Sequence, residues 1–190
     1  MKKYKKMIVI LFLILSFHLT VAFATIKLTW HCIDKEAESL DDSCSLQDNS
    51  TNPPNIVLTL SQSMKERTQI KYYKNKLALV SISCGTDCNN EALYDFSIHD
   101  LIGLHGYLLA LQAESKLAVV VNAKNGVELL DFTHKEIRTK LLIPHKRLSS
   151  YSAIPKNAID EVRFDGKKVQ IRYRDKAEVS HQESFSLTSD

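Results

Sequence analysis

The sequence predicts an all-β protein built from antiparallel hairpins. Two similar segments, residues 77–96 and 117–132, each consist of an apolar strand, a polar loop and a second apolar strand. Matching positions in these segments are 36 to 40 residues apart, a spacing that repeated antiparallel blades produce. Short strand patterns follow one another closely, and no long helical periodicity follows residue 24. These observations favour stacked or radially placed sheets, either a partial propeller or a sandwich.

Residues 1–24 have the three parts of a secretory signal peptide. Lysines open the segment, an apolar run from Met7 to Phe17 follows, and Ala22-Phe23-Ala24 fits a signal peptidase site. The alternative is an uncleaved anchor, but the apolar run is shorter than the roughly 20 residues that a membrane-spanning helix needs. We expect cleavage after Ala24, a single domain over residues 25–190, and a periplasmic or secreted product with no membrane segment.

The apparent basicity of the chain belongs to the predicted signal peptide. The sequence has 25 Lys and Arg against 22 Asp and Glu, and four of the lysines lie in residues 1–24. Without that segment the chain has 21 basic and 22 acidic residues, which is a formal net charge of −1. This balance gives no electrostatic reason to expect a nucleic-acid partner.

All four cysteines lie in the predicted exported part, and an even number in an oxidising compartment indicates two disulfides. We favour the pairs Cys32 with Cys44 and Cys84 with Cys88, because a short polar segment separates the members of each pair. A zinc site is the alternative, but four thiolate ligands usually come as two close pairs, and Cys32 and Cys44 are 12 residues apart. We therefore predict no metal and no other cofactor.

The individual elements follow from the alternation of apolar and polar residues. The first strand is predicted over residues 25–30, and residues 34–54 are predicted to be a long acidic loop with one helical turn at 36–40. A turn is predicted over residues 61–67, and Asp165-Gly166 is the strongest hairpin signal in the chain. The other predicted strands are residues 56–60, 68–73, 77–83, 91–96, 98–102, 107–111, 117–121, 127–132, 137–143, 161–164, 168–173 and 184–187.

The sequence gives little support for catalysis. His99, Asp100 and His105 are the closest grouping of acid-base side chains, and an envelope hydrolase that uses them is one alternative. A cysteine nucleophile needs a free thiolate, which the predicted second disulfide would remove. The chain contains no Gly-x-Ser-x-Gly or Ser-x-x-Lys pattern. We therefore expect a protein that is not an enzyme.

A basic stripe between His134 and Leu148 is a second candidate binding feature. It fits either a solvated sheet face or a surface that meets an acidic partner. Its members are Lys135, Arg138, Lys140, Lys146 and Arg147.

The loop between the two strands of the first segment is the predicted binding element. A bridge between Cys84 and Cys88 would stiffen the tip of the hairpin, so that its polar groups lose little entropy when they enter a partner's cleft. A disulfide that only stabilises the loop is the alternative. The predicted partner-binding residues are Gly85, Thr86, Asp87, Asn89, Tyr94 and His105.

The hairpin pattern from Leu77 to Phe96, in a short exported chain with cysteines, resembles the blades of periplasmic immunity proteins against type VI secretion peptidoglycan amidases. In one such group a loop between two blade strands plugs the amidase active site, and the equivalent position here is residues 83–90. The resemblance implies a propeller-like fold and an inhibitor of a secreted cell-wall hydrolase. A structural module of an envelope complex is the alternative.

Overall fold

The computed structural model describes residues 28–33, 43–74, 76–85, 88–134, 136–149 and 155–187, without the side chain of Cys88. The predicted signal peptide and the predicted helical turn at residues 36–40 lie outside the described residues. Helical structure in the described part is limited to α1 (Gln62–Glu66) and two short 3-10 helices, His145–Arg147 and Pro155–Ala158. The strands are β1 (Leu28–Ile33), β2 (Ser43–Asp48), β3 (Asn55–Ser61), β4 (Thr68–Tyr73), β5 (Leu77–Gly85), β6 (Cys88–Asp95), β7 (Asp100–Leu104), β8 (Tyr107–Gln112), β9 (Leu117–Asn122), β10 (Gly126–Asp131), β11 (Arg138–Pro144), β12 (Ile159–Asp165), β13 (Lys168–Arg174) and β14 (Ser180–Ser186).

The strands form four antiparallel sheets, and each sheet uses strands that are consecutive in the chain. The first sheet contains β1 to β3, the second β4 to β7, the third β8 to β11 and the fourth β12 to β14. Every strand pairs with the strand before or after it, so each sheet is a simple meander. The structure thus confirms the predicted all-β fold of antiparallel hairpin repeats.

The sheets stack in chain order, with an apolar cluster between each pair of neighbours. Leu46 of the first sheet packs with Val80 of the second, and Leu93 of the second packs with Val120 of the third. The third cluster joins the third and fourth sheets, and none of the clusters found among the described residues joins the fourth sheet to the first. Among the described residues, the stack is therefore not closed into a ring.

The position of a sheet in the stack explains the pattern of its strands. Residues 117–121 of β9 are apolar at every position because both faces of the third sheet are covered. In β13, Val169, Ile171 and Tyr173 are fully buried and alternate with polar residues, because the outer face of the fourth sheet meets water. Polar side chains bond to each other across that outer face, where Arg172 pairs with Glu161.

One turn recurs at the end of β2, β6 and β10. In each copy an aspartate Oδ1 accepts hydrogen bonds from the backbone N–H and the hydroxyl of the residue two positions later. The pairs are Asp48 with Ser50, Asp95 with Ser97, and Asp131 with Thr133. The first three sheets therefore contain a common unit that ends in Leu-x-Asp-x-Ser/Thr.

Three predictions of local structure were wrong. The predicted loop 34–54 contains β2. The sequence pattern did not indicate this strand, because Asp48, at the end of β2, is a fully buried carboxylate rather than an apolar residue. The predicted turn 61–67 contains α1. The strand predicted over 98–102 begins at Asp100 instead, because His99 adopts a positive φ of 53° and belongs to the preceding turn.

The disulfide between Cys32 and Cys44 is confirmed. These residues are directly opposite each other in β1 and β2, so the bond links two neighbouring strands of the first sheet. Cys84 is also disulfide-bonded. The predicted partner, Cys88, has a side chain outside the described residues.

Candidate functional site

The hairpin of β5 and β6 extends beyond both neighbouring strands of its sheet. Pairing with β4 ends at Ile82, and pairing with β7 ends at Glu91. The hairpin itself continues to the pair Gly85 and Cys88. The tip is therefore a two-stranded projection at one end of the stack, which we call the hairpin end.

The described residues of the tip are exposed. Cys84, Gly85, Asn89 and Asn90 all face solvent, and Gly85 adopts a φ of +140° with nothing within 4 Å of the position that a Cβ would occupy. Thr86 and Asp87, the other predicted contact residues, lie outside the described residues. Within the described residues, the tip is thus exposed beyond β4 and β7 and open to a partner.

Tyr94 does not belong to this surface. It lies near the opposite end of β6, five residues from Asn89, or about 17 Å at the rise of an extended strand. Its side chain is fully buried, its hydroxyl donates to Asp48 Oδ2 at 2.9 Å, and Asn55 Nδ2 donates to it at 3.1 Å. Burial and the hydrogen bond to Asp48 raise the pKa of Tyr94 to about 12. Tyr94 is a core residue that joins the first two sheets.

The three residues of the hydrolase alternative are not brought together. His99 precedes β7 and His105 follows it, so the two side chains lie at opposite ends of a strand, about 20 Å apart along the chain. His99 Nδ1 lies 2.9 Å from Asp48 Oδ2 and takes part in the contact between the first two sheets. His105 is exposed at the hairpin end.

A pocket of about 920 Å³ opens beside His105. It lies between β7 of the second sheet and the face of β9, β10 and β11 in the third sheet, at the place where the second sheet ends. Its size is within the range of small-molecule sites. The lining residues are Gly103, His105, Val120, Asn122, Ala123, Lys124, Asn125, Glu128, Leu130, Ile137 and Thr139.

Glu128 is the one acidic residue in this lining and is only 8% exposed. Asn122 Nδ2 donates to its Oε2 at 2.6 Å, and Asn125 Nδ2 donates to its Oε1 at 2.8 Å. Asn122 ends β9 and Asn125 lies in the turn that follows, so the end of this hairpin orients the carboxylate. Glu128 is not among the residues predicted from the sequence, although an acidic residue between Val127 and Leu129, in a strand otherwise buried on both faces, was a usable signal.

The members of a polar cluster on the fourth sheet form hydrogen bonds and ion pairs with one another. The fully buried Tyr173 donates to Glu183 Oε1 at 2.7 Å and accepts from Arg147 Nη2 at 2.5 Å. Arg147 also pairs with Glu183, and His181 Nε2 lies 2.7 Å from Asp175 Oδ2. Burial, together with the contact to Glu183, raises the pKa of Tyr173 to about 12. These contacts hold the segment after β11 against the fourth sheet.

The basic stripe does not form one surface. Arg138 and Lys140 are exposed on β11, whereas Lys146 and Arg147 follow the other end of that strand, and the charge of Arg147 is compensated by Glu183. Lys135 lies outside the described residues. The described members thus divide between two places.

Within the described ranges, no group of three or more His, Cys, Asp or Glu side chains is arranged to hold a metal ion. None of the helices there combines the length and apolar character needed to cross a membrane. Comparisons of the chain with protein family models, with curated proteins and with solved structures found no match in any of the three.

Proposed function

We propose that this chain is an exported, non-enzymatic binding protein that inhibits a secreted cell-wall hydrolase, most concretely a peptidoglycan amidase, by inserting the β5–β6 tip into the cleft of the enzyme. The observation that carries the proposal is the projection of this hairpin beyond β4 and β7. The resemblance of residues 77–96 to blades of amidase immunity proteins supplies the class of partner.

The tip has the properties of a preformed insertion element. Its two strands are paired as far as Gly85 and Cys88, so most of the backbone order that binding requires already exists in the free protein. The disulfide at Cys84 adds a covalent constraint near the turn. The exposed groups are small and polar, and none of the large exposed apolar side chains found in the described residues lies on the tip. Such a surface suits a polar cleft like that of a hydrolase.

The histidines support the same class of function. The two histidines of the closest acid-base grouping in the sequence lie at opposite ends of β7, and His99 contacts Asp48. His105 remains at the hairpin end, next to the pair Glu91 and Leu104 at which the projection starts. It is therefore a flanking contact residue in this proposal, whereas Tyr94 is not.

The test compares two hairpin tips of the same protein. The double variant Gly85→Leu and Asn89→Trp adds bulk to the β5–β6 tip, where space is open in the free protein. The matched control, Gly166→Leu, alters the β12–β13 turn, which also has an exposed glycine at positive φ with nothing within 4 Å of its Cβ position. Oxidised protein carrying each change is used to retain partners from envelope extracts of the producing strain and its competitors, and hydrolase activity of the retained protein is measured.

We expect the wild type and Gly166→Leu to retain and silence a cell-wall hydrolase, and the tip variant to lose it while its melting temperature stays near that of the control. Retention of the hydrolase by the tip variant with unchanged affinity would remove the tip from the interface. Recovery of resident envelope components alone would contradict the inhibitor function and favour an assembly module.

A further inference from the structure

The pocket over Glu128 combines an apolar wall with a buried negative charge that the described part of the chain leaves without a counter-ion. No lysine, arginine or histidine nitrogen of that part lies within 4.0 Å of the carboxylate, since none of the ion pairs found there includes Glu128. Its hydrogen-bond partners are two neutral amides, Asn122 and Asn125. Buried carboxylates are usually paired with a cation, because removing a charge from water is costly.

The carboxylate also has unused acceptor capacity. Its two oxygens can accept about four hydrogen bonds, and the asparagines supply one to each oxygen. Because Asn122 ends β9 and Asn125 lies in the turn before β10, they fix the carboxylate in place before any ligand arrives. A hydrogen-bond donor that enters the pocket therefore meets a carboxylate that is already oriented, and little free energy is needed to rearrange this carboxylate.

Part of the lining is apolar and favours a ligand with an aliphatic body over a small hydrated ion. Val120 and Leu130 form part of the wall, and Ile137, 43% exposed, adds an apolar side chain at the open side. These side chains offer contact to methylene groups and no hydrogen bonds. Lys124 is exposed at the rim, where solvent screens its charge.

We propose that this pocket binds a small molecule with an aliphatic body and a primary ammonium group. The ammonium donates to Glu128, and the aliphatic part packs against Val120, Leu130 and Ile137. A primary ammonium is a compact charge with freely directed donors, so it can use the single remaining position on either oxygen. The pocket shares His105 with the flank of the proposed tip interface, but Glu128, Val120, Leu130 and Ile137 lie outside that interface.

The probe for this site is n-hexylamine, with 1-hexanol as the neutral molecule of matched length. Titration of the full-length oxidised protein, followed by calorimetry and by NMR shifts of the Val120, Leu130 and Ile137 methyl groups, gives the affinity and the place of binding. We expect hexylamine to bind with a Kd of about 1 mM or tighter and hexanol to bind at least about tenfold more weakly, since the charged hydrogen bond is lost.

Four variants test the assignment. Glu128→Gln should weaken hexylamine binding about tenfold or more, whereas Glu161→Gln, a change of the same chemistry on the outer face of the fourth sheet, should leave it unchanged. Thr139→Trp should block the pocket without touching Glu128, because Thr139 is exposed and lies opposite Leu130 on the same face. Lys124→Gln should leave the affinity unchanged or raise it, since it removes a charge of the same sign as the ligand.

Melting temperatures of all variants show whether each is folded, and Thr139→Trp keeps the test decisive if Glu128→Gln disturbs the turn. The proposal is overturned if the wild type binds hexylamine and hexanol equally, if it binds neither, or if Glu128→Gln and Thr139→Trp both bind hexylamine as the wild type does. None of these results depends on the partner of the hairpin tip.

Discussion

Asp48 and Asp95 each close a turn with one carboxylate oxygen and contact the next sheet with the other. Asp48 Oδ2 accepts from Tyr94 and lies 2.9 Å from His99 Nδ1, and Asp95 Oδ2 pairs with Lys116 Nζ at 2.5 Å. His99 and Lys116 both adopt a positive φ, 53° and 51°, in the turn that brings them to the aspartate. The same residue type therefore serves both the end of a strand and the contact between sheets.

The contact at Asp95 predicts a pH dependence of stability. Burial alone would raise the pKa of Asp95, but hydrogen bonds from Lys116 and Ser97 outweigh burial and hold the pKa below its ordinary value of 3.8. The unfolded chain therefore binds the proton more readily, so this stabilisation is present above the ordinary carboxyl pKa and is lost as the pH falls through the lowered one. We expect Asp95→Asn to reduce the free energy of unfolding by about 1 to 3 kcal/mol at pH 7.

Urea unfolding of wild type and Asp95→Asn over a series of pH values measures this effect. The difference between the two proteins should shrink as the pH falls below about 4, because the wild-type carboxyl is then progressively protonated. Glu136→Gln, at an exposed position, is the control and should follow the wild type throughout. A difference that stays constant down to the lowest pH would show that the charge of Asp95 is not what stabilises the fold.

At the level of single elements, the sequence predicted the inner hairpins best. The boundaries of β9 match their prediction within one residue, because an apolar run bounded by polar turns marks this strand clearly. β4 matches its prediction in extent, because apolar and polar residues alternate along most of it. β2 was missed, since only Cys44 and Leu46 are apolar in its six residues. The recurring Leu-x-Asp-x-Ser/Thr ending, present at Leu46 to Ser50, was the available signal.

Of the two candidate sites, one could be predicted from the sequence and the other could not. The projecting tip follows from loop length and cysteine spacing, both of which are visible in the sequence. The pocket over Glu128 depends on where the second sheet stops covering the third, and that is a property of packing between sheets. Tyr94 was assigned to the interface, but it lies where the first sheet packs on β6, and its side chain is buried in the cluster between the first two sheets.

Replacement of Gly126, at the start of β10, by alanine is predicted to destabilise the fold much more than the same replacement of Gly103. Gly126 has a φ of +110°, and a Cβ there would overlap the backbone of Ile143 and His145. Gly103 in β7 has nothing within 4 Å of its Cβ position. We expect Gly126→Ala to lower the free energy of unfolding by about 3 kcal/mol or more, and Gly103→Ala to change it by less than about 1 kcal/mol. Denaturant unfolding measures both, and equal effects would contradict the close approach of β10 to the end of β11.

For the whole molecule, the stacking order sets the local stability. Among the described residues, apolar clusters cover the second and third sheets on both faces and the first and fourth sheets on one face. We expect backbone amides of β9 to exchange with solvent more slowly than those of β13, although each strand pairs on both sides within its sheet. Hydrogen exchange followed by mass spectrometry tests this, and faster exchange in β9 would show that burial of both faces does not control opening.

The meander topology has a consequence for how the chain reaches its fold. Each sheet forms through contacts between strands that are neighbours in the sequence, and each later sheet packs against the sheet that precedes it in the chain. A segment can therefore form its own sheet as soon as its strands are available and then add to the structure already present, as a further layer is added to a growing stack. The conformational entropy of the chain therefore decreases in small steps, one sheet at a time. Each strand pairs with a strand that is its neighbour in the sequence, so pairing does not depend on a distant part of the chain.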